Sequence, residues 1–197
     1  MRVLLHICCA HCMDKMLAGL RAEFGARLEV LGFFYNPNIH PLLEFRKRLK
    51  AVRVLNETLR IPIDYHEPYG LEDFLRFVWR PCDPNRCRRC YDLRLFRAAQ
   101  HAHALGLDAM TTTLCVSPHQ DHVAIREAGE EAAEAHAVKF LYRDLRSVAE
   151  ETPRRIGIYA QQYCGCIFSE NERFVSTNRE LYKGNIDGEK VQSPPEK

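Results

Sequence analysis

The residues most able to do chemistry in this sequence are its nine cysteines, and most of them are clustered. HICCAHC spans 6–12, CRRCYDLRL spans 87–95 and YCGCIFS spans 163–169. In the first motif Cys9 and Cys12 stand three apart, with Cys8 alongside. If a helix begins there, their sulfurs face one point, and a helix N-terminus favours the thiolate that binds metal. Cys87 and Cys90 repeat the spacing at the start of another expected helix, flanked by arginines that favour thiolate. A single CxxC also fits a thioredoxin-like pair or plain packing, since buried cysteine is common. Three cysteines in five residues and a second CxxC in the same domain point instead to a four-sulfur site. A disulfide scaffold fits poorly: the count is odd, the chain is long enough to build a core unaided, and no secretory signal is visible.

Between zinc and iron–sulfur, the sequence favours the second. Structural zinc is usually closed by knuckles in a small module that needs the metal to fold. Here the two CxxC pairs lie far apart in a chain that can bury its own core. A 4Fe–4S cluster is held by cysteine thiolates, which suits the pattern. Cys164 and Cys166 flank Gly165, whose freedom permits a tight bend. They read either as a strained, easily reduced redox disulfide or as two further metal ligands. Cys82 and Cys115 stand outside the three motifs and read as packing or neighbouring residues. Asn36, His40, Ser117, His119 and Gln120 lie in turn-like stretches and are candidates for contact with a polar substrate. His6, Asp14 and His119 are candidate proton donors. No GxGxxG or GxxxxGK[ST] phosphate loop and no C-x3-C-x2-C triplet is present.

The elements that must place these residues follow from periodicity. Strands are expected at 3–7, 28–35, 61–65, 109–114 and 139–142. Helices are expected at 13–24, 41–59, 71–78, 88–105, 119–136 and 147–160, with Gly25 and Gly106 as stops. Alternating strands and helices predict a single-domain, doubly wound, mostly parallel α/β sheet of Rossmann-like form over 1–182. The polar segment 183–197 reads as a disordered tail. In such a sheet chemistry sits beyond the C-terminal ends of the strands, where Cys8, Cys9, Cys12 and Cys115 fall.

Composition bounds the rest. At 197 residues, 46% hydrophobic and 27% charged, the chain is an ordinary globular domain. Its net charge of +2 alone implies no polyanion. The basic residues are unevenly spread, however. Arg46, Lys47, Arg48, Lys50, Arg53 and Arg60 fall within 44–60, and Arg76, Arg80, Arg86, Arg88, Arg89, Arg94 and Arg97 within 76–97. Such surfaces suit a docked polyanion, or are solvated helix faces. No apolar run approaches a membrane span, so a cytoplasmic location is expected and no membrane partner.

HICCAHC, YNPNIHPLLEFRKR, CRRCYDLRL, the SPHQ turn and YCGCIFS, taken in order over 6–169, resemble the QueH family of epoxyqueuosine reductases. The resemblance implies a fold related to the adenine-nucleotide α-hydrolases, the cysteine motif replacing their phosphate loop. It implies a 4Fe–4S cluster on Cys8, Cys9, Cys87 and Cys90 and a redox-active Cys164/Cys166 pair. It also implies a second mononuclear metal, iron or zinc, for which Cys12 is a candidate ligand. The implied reaction reduces the epoxide of epoxyqueuosine at the tRNA wobble position to queuosine, with electrons from an unidentified donor. A zinc-stabilised nucleic-acid-binding module and a thiol–disulfide oxidoreductase are the rival readings.

Overall fold

A computed structural model describes residues 1–78, 83–147 and 155–177. Cys82, Arg80 and the segment 183–197 fall outside the described residues. Five strands form one parallel sheet in the order β3-β2-β1-β4-β5. They are β1 (Arg2–His6), β2 (Glu29–Phe34), β3 (Ile63–Tyr65), β4 (Ala109–Thr112) and β5 (Lys139–Phe140). The helices are α1 (Ala10–Phe24), α2 (Leu42–Leu59), α3 (Leu71–Val78), α4 (Arg86–Ala104), α5 (His122–Ala135) and α6 (Ile167–Phe174). The doubly wound α/β architecture is the one the alternation predicts.

The central strand β1 explains the arrangement. Val3, Leu4 and Leu5 are fully buried, so neighbours on this strand pointing to opposite faces are both covered. A strand covered on both faces requires helices on each side and reads as a continuous apolar run. α1 packs with α2, while α4 packs with α3 and α5 and also meets β1 and β4. The chain runs outward from β1 through β2 to β3, then crosses back to β4 beside β1. The switch point therefore opens between the ends of β1 and β4, where a doubly wound sheet leaves a crevice.

Several boundaries differ from expectation in ways that matter for this crevice. α1 starts at Ala10 rather than 13, because the Cys9 sulfur caps it by accepting the Cys12 backbone N–H at 3.4 Å. β4 stops at Thr112, and Thr113–Val116 winds into a 3-10 turn capped by the Thr112 hydroxyl. α4 starts at Arg86, so Cys87 and Cys90 both stand in its first turns. α5 begins at His122, capped by Asp121. Of the helix expected at 147–160, residues 148–154 lie outside the described residues and 155–160 form turns and irregular chain.

Candidate active site

The sheet gathers the first cysteine motif directly. Cys8, Cys9 and Cys12 hold their sulfurs within 4.8 Å of one another, the only such ligand trio among the described residues. Cys9 is buried and receives a 2.9 Å hydrogen bond from the Gln161 side-chain amide. Thr113, turned inward by the 3-10 segment, accepts from the Cys8 backbone N–H at 2.9 Å and donates to the Cys8 sulfur at 3.0 Å. One threonine thus ties the end of β1 to the end of β4 across the switch point. The Cys8 thiol is held well below its ordinary range. Donation from the Cys12 and then the Cys9 thiol is the main cause, and the charge of Arg94 and the Thr113 hydroxyl add to it against the cost of burial. Cys12 moves the opposite way, raised by its bonds to Cys8 and Cys9 and by burial.

A second group forms on the other side. Cys87, Cys90, Cys164 and Cys166 line one small apolar cavity together with Phe74, Val78, Arg86, Tyr91 and Gln120. Cys90 and Cys166 are buried; Cys87 and Cys164 are exposed. Burial in this apolar wall pushes the Cys90 thiol up to about 12 despite Arg94 nearby. The structure therefore brings the three motifs into two thiol groups, Cys8/Cys9/Cys12 and Cys87/Cys90/Cys164/Cys166. Arg94, one helical turn beyond Cys90, has a terminal nitrogen 4.0 Å from the Cys90 sulfur.

The loop carrying Cys164 and Cys166 is held by hydrogen bonds from α2 and the segment before it. The buried Arg48 guanidinium donates to the Cys164 carbonyl at 2.8 Å and to the Tyr163 carbonyl at 2.9 Å. Its Nε pairs with Glu44 at 2.7 Å, and Tyr159 donates to the other Glu44 oxygen. The His40 backbone N–H donates to the Gly165 carbonyl at 2.7 Å, and the Tyr163 hydroxyl donates to the His40 carbonyl. Gly165 has φ +137°, and a Cβ there would stand 3.1 Å from an Arg48 nitrogen. Both favour glycine there. Cys166 caps α6 by accepting the Ser169 N–H at 3.4 Å.

Other expected site residues have different jobs. Asn36 is buried, donating to the Ile7 carbonyl and accepting from Arg94, so it is a brace. His40 is buried, its Nδ1 against the Tyr69 hydroxyl. Ser117 accepts from the His119 N–H within its own turn, and His119 is exposed. Of these five only Gln120 reaches a thiol, with its amide nitrogen 3.4 Å from the Cys164 sulfur. It is held there by the Tyr91 hydroxyl at 2.9 Å. His6 is fully buried between Thr112 and the Tyr35 carbonyl, and burial, aided by Arg94, lowers its pKa to about 3. It is a buried brace, with both ring nitrogens engaged. Asp14 is engaged in a two-pronged pair with Arg155. Cys115 is wholly buried, as a packing residue should be.

The two basic stretches also separate. In the second, Arg76 pairs with Glu72, Arg86 with Glu172, Arg88 with Asp92, Glu127 and Glu131, and Arg89 with Asp83. Arg94 is buried. That stretch is mostly internal neutralisation, much of it by the acidic face of α5, and is not an open cationic surface. On α2, Arg48 is buried but Arg46, Lys47, Lys50 and Arg53 are exposed. Sequence reasoning missed Arg48, Arg94, Thr113 and Gln161 as site residues. A helical stripe of arginines does not say which one points inward, so the first two look like surface charges.

A parallel α/β domain with seven thiols gathered at and beside its switch point, and no phosphate loop, defines a Rossmann-like protein with a cysteine-lined crevice. The chain matches the family model described as epoxyqueuosine reductase QueH over residues 3–172, and it belongs to that family. It is 36% identical over 180 residues to a protein of Dehalococcoides mccartyi named epoxyqueuosine reductase QueH, covering 90% of this chain and 97% of that one. A protein of the same name from Thermotoga maritima is 34% identical over 184 residues, covering 87% and 91%. One from Haemophilus influenzae is 32% identical over 178 residues, covering 85% and 71%.

Proposed function

We propose that this chain is an oxidoreductase that removes the epoxide oxygen of epoxyqueuosine at the wobble position of tRNA, leaving queuosine. The observation that carries the reading is the pairing of two thiol groups at the switch point of a QueH-family fold. Converting an epoxide to an alkene takes up two electrons and two protons and releases water, so the site needs both an electron route and proton delivery.

The donor set suits a 4Fe–4S cluster on Cys8, Cys9, Cys87 and Cys90, drawn from both groups. Thiolate is the ligand such clusters take. Arg94 adds a buried cation whose Nε has no partner, an environment made for an anionic group. A cluster held there supplies electrons one at a time. Cys12, left over in the first group, would hold a second metal, iron or zinc, whose Lewis acidity polarises an oxygen.

The chain's own residues do the rest. Cys164 and Cys166 act as a dithiol that holds an electron pair, releases it with two protons on closing to a disulfide, and must be reopened by an external two-electron reductant. Arg48 fixes the backbone of that pair, and Gln120 orients the Cys164 sulfur. Arg46, Lys50 and Arg53, the last paired with Glu67, border a groove of about 620 Å³ shared with Tyr69, and this face holds RNA phosphates. A tRNA substrate argues for work in the cytoplasm. Among the described residues no helix is long and apolar enough to cross a membrane.

The test is anaerobic purification with iron, zinc and sulfide analysis. About four irons with matching sulfide and a broad absorbance near roughly 400 nm are expected for such a cluster. A colourless protein holding zinc alone after cluster reconstitution would leave a zinc-stabilised binding module instead.

A further inference from the structure

Arg48 and Arg94 are both fully buried, and only one of them has a carboxylate. Arg48, 2% exposed in its side chain, pairs with Glu44 at 2.7 Å and spends its remaining nitrogens on two carbonyls. Arg94, 1% exposed, has no acidic partner among the described residues. One terminal nitrogen donates to the neutral Asn36 amide at 2.9 Å, and the other stands 4.0 Å from the Cys90 sulfur. Its Nε is buried with no hydrogen-bond partner among the described residues. A guanidinium keeps its charge in any protein environment, so it cannot escape the cost of burial by losing a proton. Uncompensated, such a charge is strongly destabilising, and native proteins bury one only beside an anion.

The anion has one place to be. Arg94 follows Cys90 by one turn on the same face of α4, with one terminal nitrogen 4.0 Å from the Cys90 sulfur. Asn36, which holds the guanidinium, is itself anchored on the Ile7 carbonyl one residue before Cys8. The brace thus runs from the first cysteine motif to the second through Arg94.

We propose that Arg94 is a positioning residue, the built-in counter-cation of an anionic metal–thiolate group seated between Cys8 and Cys90, and that it raises that group's reduction potential. This rests on the reading of the thiol site as a cluster site. The redox step in question adds one electron from a one-electron reductant to a group already negative. No bond forms or breaks and no proton moves, so the added charge must be stabilised by fixed positive charge nearby. Arg94 stabilises the reduced form more than the oxidised one for that reason, since attraction grows with the partner's charge and burial limits screening.

The experiment compares wild type, Arg94→Lys and Arg94→Met, each purified anaerobically, with and without reconstitution by iron and sulfide. Two quantities are read: the midpoint potential of the loaded protein under dithionite titration, and the Tm gained on loading. Arg94→Met should show a more negative midpoint and a smaller Tm gain than wild type, while its metal-free form is as stable as the wild-type one. Arg94→Lys should keep most of both. If Arg94→Met fails to load, retained loading in Arg94→Lys supports the charge. A residue that merely packs would lower the Tm of loaded and metal-free forms alike and leave the midpoint unmoved, and that result overturns the proposal. So does Arg94→Lys behaving as Arg94→Met does. A wild-type protein that takes up no iron and sulfide overturns the cluster reading and this proposal with it.

Discussion

The two thiol groups are built by different means. Cys8, Cys9 and Cys12 are placed by backbone: the end of a buried central strand, the first turn of α1, and a threonine from the neighbouring strand end. Cys164 and Cys166 are placed by side chains, chiefly one buried arginine gripping two carbonyls from another element. Cys87 and Cys90 fall between, on the first turns of a helix but facing the loop group. The first group is set directly by the sheet. The second has two exposed sulfurs and depends on contacts that a single substitution removes. Thiols placed by strand ends and helix turns suit a permanent cofactor, and the Cys164–Cys166 loop suits thiols that must open, close and meet a reductant.

The largest effect should come from cutting the link between groups. Cys87→Ser should lose both cluster and turnover, as should Cys9→Ser. Cys12→Ser should keep about four irons yet lose turnover, because it removes only the second metal's ligand; iron analysis beside an activity assay separates these.

Arg48→Met should spare the cluster but cut kcat at least tenfold by freeing the Cys164–Cys166 loop. It should also cost about 3–5 kcal/mol of stability, because Glu44 is left buried and unpaired. Adding Glu44→Leu should restore much of the stability, measured by urea unfolding, and none of the kcat. Recovery of both together would mean that Arg48 serves folding alone.

Gly165→Ala strikes the same loop more gently. Its φ of +137° and the 3.1 Å approach to Arg48 predict a loss of about 1–3 kcal/mol, with the Cys8/Cys9/Cys12 group's metal content unchanged. The smallest effect is expected at the surface. Arg46→Glu with Lys50→Glu should raise KM for tRNA several-fold and flatten its salt dependence by about 0.7 for each phosphate no longer neutralised, with kcat unaltered. The same exchange at Arg76, already paired with Glu72, should do much less.

Much of this was legible in advance, for identifiable reasons. β1 declares itself as a short, continuous apolar run, and a strand followed at once by Cys8, Cys9 and Cys12 places those thiols at the sheet's crevice. The spacing of Cys87 and Cys90 gave their shared helical face. What sequence could not say is which polar residues turn inward. Arg48 and Arg94 sit in arginine-rich stripes beside exposed neighbours, and only the packing of α2 on the 163–165 loop and of α4 on β1 tells them apart. Asn36 and His40 carry the look of substrate contacts because a turn that braces a site uses the same hydrogen-bonding residues as one that binds a ligand. The helix start at Ala10 was missed because its cap is a cysteine, outside the usual Ser, Thr, Asp and Asn.

The central claim is tested most directly on tRNA that carries epoxyqueuosine. The anaerobically reconstituted protein is incubated with it and a one-electron reductant, and the nucleosides are then resolved by mass spectrometry. The account predicts that queuosine appears with wild-type protein and that epoxyqueuosine persists with Cys87→Ser. Epoxyqueuosine left untouched by cluster-loaded wild type, or queuosine formed equally by Cys87→Ser, would contradict it.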